Sequence, residues 1–332
     1  MRPALDDGAG ISSPLLKIEA RYTLHMKTSR RDFLAVSALA PVAGRLMAAS
    51  APAFRFPTAA RERIAVASYP FRAFLDSPRN RGRNPQGPLM ALKEFPAMVV
   101  ERFQIPNVEL LGEHITSAEP AYLEQLRAAV KSAGSHIVDI PTGVGGSVYD
   151  ADSARRATAV GNAKKWVDTA VALECPSLRV HLQGARGAKP DAALAAESLA
   201  AISAYGAAKG VVINLENDDL TTEDAFFLAK VIDQVASPWL RALPDFGNSM
   251  LTGDEKFNYD AVTAMFQRAY NIAHVKDCEV DRGKVFRVSM DRTFAIAKAS
   301  GFKGYFSIEF EGEGDPYAGT RKLIEESLKY LA

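Results

Sequence analysis

Four polar side chains follow or end short apolar runs in the second half of this sequence. Glu216 ends the run VVINLE, Asp245 follows LRALP, His274 lies in NIAHV and Glu309 ends YFSIE. They are separated by 29, 29 and 35 residues, each about the length of one strand–helix unit. Because parallel strands end at the same edge, we expect the four side chains to converge there.

Such a cluster favours a metal ion. Three carboxylates brought together repel one another and are costly to bury without a counter-charge. A divalent cation removes that cost, and two Glu, one Asp and one His form an oxygen-rich ligand set that suits Mn²⁺, Mg²⁺, Co²⁺ or Zn²⁺. Taken singly, each residue has an ordinary explanation as a helix cap, a solvated acid or a core histidine. The prediction of one divalent ion depends on the set of four.

The elements that would position this cluster alternate along the chain. Apolar runs rich in Val, Ile and Leu are separated by amphipathic stretches, as in parallel strands covered on both faces. The runs are Ile64–Tyr69, Val108–Leu111, Ile137–Ile140, Leu178–His181, Val211–Leu215, Leu240–Pro244, Ile272–Val275 and Tyr305–Phe310. Eight units over this length predict an α/β fold, the (β/α)8 TIM barrel. The alternative is a doubly wound open sheet, which is weakened because SYPFRAF, and no glycine-rich phosphate fingerprint, follows the first run.

The bulk properties exclude some classes of protein. The chain has 332 residues, of which 40 are Lys or Arg and 39 are Asp or Glu, so it carries no excess positive charge for binding nucleic acid. Its two cysteines, Cys175 and Cys278, cannot build a disulfide framework or a zinc finger. No apolar run reaches the roughly 18 residues expected of a membrane span.

The amino-terminal region has the pattern of an export signal. In residues 26–53 a basic head precedes a short apolar run, and Ala51-Pro52-Ala53 fits a cleavage site. The string SRRDFL resembles a twin-arginine signal, which implies machinery that exports folded proteins and a periplasmic location. An amphipathic helix of the mature protein is the alternative. Residues 1–25 precede a second methionine and are interpreted as an untranslated extension, 54–62 as a linker and 63–332 as the catalytic barrel.

Five motifs follow one another in barrel order: ASYPFR (67–72), LEN (215–217), PDFGN (244–248), HVKD (274–277) and GYFSIEFEG (304–312). Together they resemble the xylose isomerase-like barrel superfamily, specifically its sugar phosphate isomerase/epimerase branch. The resemblance implies that Glu216, Asp245, His274 and Glu309 hold one divalent metal. It also implies that Glu216 and Glu309 form the catalytic acid/base pair.

Four further residues are predicted to contact substrate. Lys276 of the HVKD motif is a candidate substrate contact or electrostatic stabiliser, with a salt bridge as its alternative. Asn248 stands where the branch acting on free ketohexoses often has histidine, so the substrate contacts must differ. His181 ends the fourth run and Arg72 follows the first. Glu109 is a weaker candidate that could pair with a cation inside the barrel.

These observations favour a metal-dependent sugar isomerase or epimerase that moves a proton next to a carbonyl. Export favours an unphosphorylated carbohydrate substrate, and no phosphate cradle is evident. An alternative is a metal-dependent lyase that cleaves 3-keto-glycosides by β-elimination. A non-catalytic sugar-binding protein and an endonuclease-type hydrolase are less favoured, since both glutamates are present and the histidines of a three-metal cluster are too few.

Overall fold

Eight parallel strands form the wall of a barrel in the computed structural model, which describes residues 50–78, 89–184 and 189–332. The barrel strands are β1 (Ile64–Ala67), β2 (Asn107–Glu109), β3 (His136–Gly143), β4 (Ser177–His181), β5 (Val212–Glu216), β6 (Leu240–Leu243), β7 (Ile272–Val275) and β10 (Tyr305–Ile308). The hydrogen-bonded order is β6-β5-β4-β3-β2-β1-β10-β7. Two isolated bridges, Ala242–Ala269 and Asp245–His274, connect the segments around β6 and β7 and bring the barrel close to closure. The predicted α/β barrel is confirmed.

Eight α-helices lie between and after these strands in the described part of the chain. They are α1 (Phe95–Phe103), α2 (Pro120–Ser132), α3 (Ser153–Ala172), α4 (Ala192–Lys209), α5 (Ala225–Val235), α6 (Glu255–Phe266), α7 (Met290–Ala299) and α8 (Pro316–Leu331). Aspartate side chains cap several helix starts; Asp152 accepts from the N–H groups of Ala154 and Arg155, for example. The helices pack apolar residues against the outside of the strands.

A two-stranded antiparallel hairpin interrupts the alternation between β7 and α7. It consists of β8 (Cys278–Asp281) and β9 (Lys284–Arg287), and the sequence did not predict it. Its turn uses two residues with positive φ, Arg282 at 47° and Gly283 at 77°, as a tight hairpin requires. The hairpin begins at Cys278, two residues after Lys276, and its Glu279 is 3.2 Å from the Lys276 ammonium, so it lies beside the predicted metal cluster.

The segment interpreted as a linker contacts the barrel. The Phe54 N–H donates to the Tyr270 hydroxyl at 2.8 Å, and the Phe56 ring packs against Tyr270 and Tyr305 with centroids 5.5 and 5.9 Å apart. The predicted extension and most of the predicted signal, residues 1–49, lie outside the described residues. Across residues 50–78, 89–184 and 189–332, no helix has both the length and the apolar character needed to span a membrane.

Candidate metal centre and substrate site

The four predicted ligands lie together at the carboxyl ends of β5, β6, β7 and β10. One potential ligand atom from each of Glu216, Asp245, His274 and Glu309 lies within 4.8 Å of the others. His274 Nδ1 is 2.8 Å from Glu216 Oε1 and 3.5 Å from Glu309 Oε2. All four side chains are buried, as expected of a closed ligand set and not of acids facing solvent.

Asp245 gives the clearest indication that a cation fits this cluster. Its Oδ1 accepts from the N–H groups of Gly247 and Asn248 at 2.8 and 2.7 Å, which fixes the carboxylate. Its Oδ2 is buried and, among the described residues, has no hydrogen-bond partner. The nearest cation is the Lys276 ammonium at 3.5 Å. A buried carboxylate oxygen that accepts no hydrogen bond is suited to binding a metal ion.

Glu109 fixes the orientation of the His274 ring. Its Oε1 is 2.9 Å from His274 Nε2, and its Oε2 accepts from the Ser307 hydroxyl at 2.5 Å. A proton on Nε2, donated to Glu109, leaves the Nδ1 lone pair facing Glu216 and Glu309. A carboxylate behind a histidine is a common arrangement in metal sites, because it sets the tautomer and raises ligand basicity. Glu109 therefore belongs to the site, although it is not among the four clustered residues.

Lys276 and Asn248 lie inside the cluster. The Lys276 ammonium is 3.6 Å from Glu309 Oε2, 3.2 Å from Glu279 Oε2 and 2.8 Å from Asn248 Oδ1. The Asn248 amide nitrogen in turn donates to Glu216 Oε1 at 3.2 Å. Asn248 thus links Lys276 to Glu216, with both ends of its amide in use.

The two glutamates have different electrostatic environments. Burial is the main cause that raises the pKa of Glu309, to about 8, and the charges of Glu216 and Glu109 add to it. Burial would also raise the pKa of Glu216, but His274 and Arg179 together hold it below its usual value. Two carboxyl groups whose pKa values are pushed apart are suited to opposite roles in proton transfer.

His181 lies in a second polar group at the end of β4. Its Nδ1 is 2.6 Å from Glu223 Oε2 and 3.5 Å from Asp218 Oδ2. Arg179, buried on the same strand, contacts both acids at 3.3 and 2.9 Å, and its Nε is 3.2 Å from Glu216 Oε2. Arg179 therefore connects the His181 group to the four-residue cluster. A cavity of about 460 Å³ opens over Arg179, His181 and Asp218.

Arg72 lies apart from the four clustered residues. Its guanidinium stacks on the Tyr69 ring, with Cζ 3.9 Å from the ring centroid, and its Nη2 is 3.6 Å from Glu311 Oε1. Together with Phe310 and Glu311 it lines a separate cavity of about 820 Å³. Arg72 can reach a ligand in that cavity, and among the described residues it forms no ion pair with the three clustered carboxylates.

Sequence reasoning missed Arg179, Glu223 and Glu279. Arg179 lies two positions before His181, the last residue of β4, at a position where the apolar pattern predicted a core side chain. Glu223 lies in the loop after β5, and Glu279 lies on the unpredicted hairpin. The one signal for Arg179 in the sequence was the presence of a charged residue between the apolar residues Leu178 and Val180.

The fold and site can be compared with known proteins. The sequence profile of the xylose isomerase-like TIM barrel family matches residues 98–332. The chain belongs to this family. No curated protein matches the sequence.

Several proteins with solved structures are similar to this chain over about four fifths of its length. D-allulose 3-epimerase from Methylomonas sp. has a TM-score of 0.62 at 15% identity, covering 83% of this chain and 100% of the other. 3-Keto-D-glucoside 4-epimerase from E. coli has a TM-score of 0.57 at 15% identity, covering 81% and 98%. A xylose isomerase-like protein from Mycobacterium smegmatis in complex with magnesium has a TM-score of 0.60 at 16% identity, covering 83% and 98%. At these identities the likeness shows the shared fold.

Proposed function

We propose that the protein is a divalent-metal-dependent isomerase or epimerase of an unphosphorylated sugar or sugar derivative. The observation that carries this proposal is the buried cluster in which Glu216 and Glu309 face His274 Nδ1 from two strands, at 2.8 and 3.5 Å. The structures similar to this chain include epimerases of D-allulose and of a 3-keto-D-glucoside and a protein in complex with magnesium, which supports this chemistry here.

The residues have defined roles in this proposal. Glu216, Asp245, His274 Nδ1 and Glu309 would hold one ion, chosen from Mn²⁺, Mg²⁺, Co²⁺ and Zn²⁺, and that ion would polarise a sugar carbonyl. One of the glutamates removes the proton from the carbon next to the carbonyl, and the other returns a proton to the opposite face. The Lys276 ammonium, within 3.6 Å of Glu309, lies where it can stabilise the negative charge that develops on the sugar oxygens.

An experiment in D₂O tests the proton transfer. A panel of keto-sugars and 3-keto-glycosides is incubated with metal-loaded protein and followed by NMR. We expect deuterium at the carbon next to the carbonyl in the epimerised product, because a carboxylate exchanges its proton with solvent. Turnover without deuterium in product or recovered substrate would contradict proton transfer and indicate an internal hydride shift.

A lyase that cleaves 3-keto-glycosides is the second candidate, and one observation favours it. The cavity over Arg179, whose Nε is 3.2 Å from Glu216, adjoins a second cavity, so a substituent on the reacting sugar has room there. Loss of the same proton would then expel the group on the neighbouring carbon. Release of this group without an epimer would distinguish the lyase from the epimerase in the same NMR experiment.

The location in the cell is also proposed. The SRRDFL string and the A-x-A site support export through the twin-arginine pathway to the periplasm, in agreement with an unphosphorylated substrate. Replacing Arg30 and Arg31 by lysine should leave the precursor inside the cell. Export at the unchanged rate would contradict the assignment.

A further inference from the structure

A groove leads away from the candidate metal centre along α3. The cavity over Arg179 shares Gly143, Gly145 and Trp166 with a second cavity of about 430 Å³, so the two adjoin at these residues. The groove begins at Arg179, one side chain away from Glu216, and reaches Asn162 on α3. Each cavity is within the size range of small-molecule sites, and together they exceed what one sugar ring fills.

The inner end of the groove is suited to a neutral ligand. The Arg179 guanidinium pairs with three carboxylates, those of Glu216, Asp218 and Glu223. Its charge is therefore already balanced, and a phosphate or carboxylate of a ligand would meet an excess of acids. Hydroxyl groups, which both donate and accept, fit this lining.

Trp166 gives the middle of the groove an apolar face. Its ring is half-buried and approaches Gly112 so closely that a Cβ at that position would lie 3.0 Å from Cη2. A side chain at position 112 would therefore crowd the ring and would clash with Thr142, whose Oγ1 would be 2.6 Å away. Such a face stacks against the apolar side of a sugar ring or against an aromatic ring.

We propose that this groove is a subsite for the second ring of a glycoside, either an aromatic aglycone or another sugar, while the reacting sugar lies at the four-residue cluster. The proposal rests on the proposed function for the position of the reacting sugar. It names the substrate class as glycosides, in preference to free monosaccharides. If the groove is such a subsite, the affinity of the protein for a glycoside depends on Trp166 and on the presence of the second ring.

The two tryptophans of the chain allow a direct measurement of binding. Trp239 is buried, and its Nε1 donates to the Ser50 carbonyl at 2.7 Å at the start of β6, at the opposite end of the barrel from the groove. The Trp239→Phe variant therefore reports on Trp166 alone. Its fluorescence is followed during titration with phenyl β-D-glucoside, phenyl β-D-galactoside and cellobiose, with methyl β-D-glucoside and glucose as single-ring controls, all in the presence of Mg²⁺.

We expect at least one two-ring ligand to change the Trp166 fluorescence and to bind several-fold more tightly than its single-ring control. By calorimetry, Trp166→Ala should weaken that ligand roughly 3- to 10-fold, the scale of one aromatic contact, and Trp166→Phe should recover part of the loss. Equal affinities for one-ring and two-ring ligands, an unaffected Trp166→Ala variant, or no binding by any member of the panel would overturn the proposal.

These results are separable from the proposed chemistry. Binding of a two-ring ligand at Trp166, together with no turnover of any keto-sugar or 3-keto-glycoside, leaves the subsite standing and removes the isomerase. Turnover of two-ring 3-keto-glycosides with a KM that is indifferent to Trp166→Ala supports the isomerase and removes the subsite.

Discussion

The two halves of the barrel mouth differ in charge and in access. At the ends of β5, β6, β7 and β10, the side chains of the cluster are closed off from solvent, and the most exposed of them, Glu309, is 6% exposed. At the ends of β2, β3 and β4, two adjoining cavities of about 460 and 430 Å³ open beside Trp166. Under the proposed function, the closed half supplies the reactive groups and the open half admits and selects the substrate.

The strongest test of the closed half removes one of its proposed ligands. Asp245→Asn and His274→Ala should lower Mg²⁺ or Mn²⁺ affinity by more than the roughly 10- to 100-fold typical of a residue behind the ligands. The fold should persist, because residues at the mouth are largely separable from the core. Metal content per chain by elemental analysis measures the effect, with circular dichroism as the control. Full occupancy in both variants would show that the ligand set is wrong.

Glu309→Gln separates chemistry from metal binding within the same half. The amide keeps an oxygen that can contact a cation but cannot take a proton. Turnover and deuterium exchange should fall by roughly 10²-fold or more, the scale of a lost acid or base, while appreciable metal remains bound. Single-turnover rates in D₂O measure the loss. An active variant would remove Glu309 from the proton-transfer pair and leave the metal proposal intact.

The closed half was more accessible to sequence reasoning than the open half. Glu216, Asp245 and His274 end or follow apolar runs at intervals set by the length of one strand–helix unit, so their convergence follows from the barrel. The contact between Glu109 and His274 joins residues 165 positions apart and depends on which residues of β2 and β7 face inward at the same level.

The open half is formed by loops and a helix face, whose positions cannot be predicted from the periodicity of apolar residues in the sequence. Trp166 lies on α3, where an aromatic residue is ordinarily read as part of the helix–strand core, and its half-buried position arises from the shape of the β2 and β3 ends. Glu279 is brought to Lys276 by a hairpin whose turn, at Arg282 and Gly283, gave only a weak signal in sequence. Sites built from loops and helix faces require the tertiary structure.

A smaller effect is expected at Glu109, which lies behind the cluster. Glu109→Gln keeps the size of the side chain but offers one acceptor oxygen in place of two, so it cannot both accept from Ser307 and hold His274 as before. We expect metal affinity to fall by about 10- to 100-fold. Nitrogen NMR of His274 supplies a second readout, because a changed Nε2 hydrogen bond shifts the tautomer balance. Unchanged affinity together with an unchanged tautomer would show that Glu109 only fills space.

The smallest effect is expected in the open half, where Gly112→Ala narrows the groove without changing its charge. The backbone of Gly112 does not have the positive φ that excludes alanine. The added Cβ would lie 2.6 Å from Thr142 Oγ1, so Thr142 must move, and 3.0 Å from Trp166 Cη2, so the ring is crowded and must shift slightly. We expect two-ring glycosides to bind a few-fold less tightly, with metal affinity unchanged because the closed half is untouched. Gly161→Ala on α3 is the matched control, since its Cβ would meet nothing within 4 Å and alanine favours a helix by about 1 kcal/mol. Calorimetry with phenyl β-D-glucoside or cellobiose compares the two variants. If the Gly112→Ala and Gly161→Ala variants bind these ligands equally well, the position of Trp166 does not decide which molecules the groove admits. The role proposed for the open half in selecting the substrate would then be wrong.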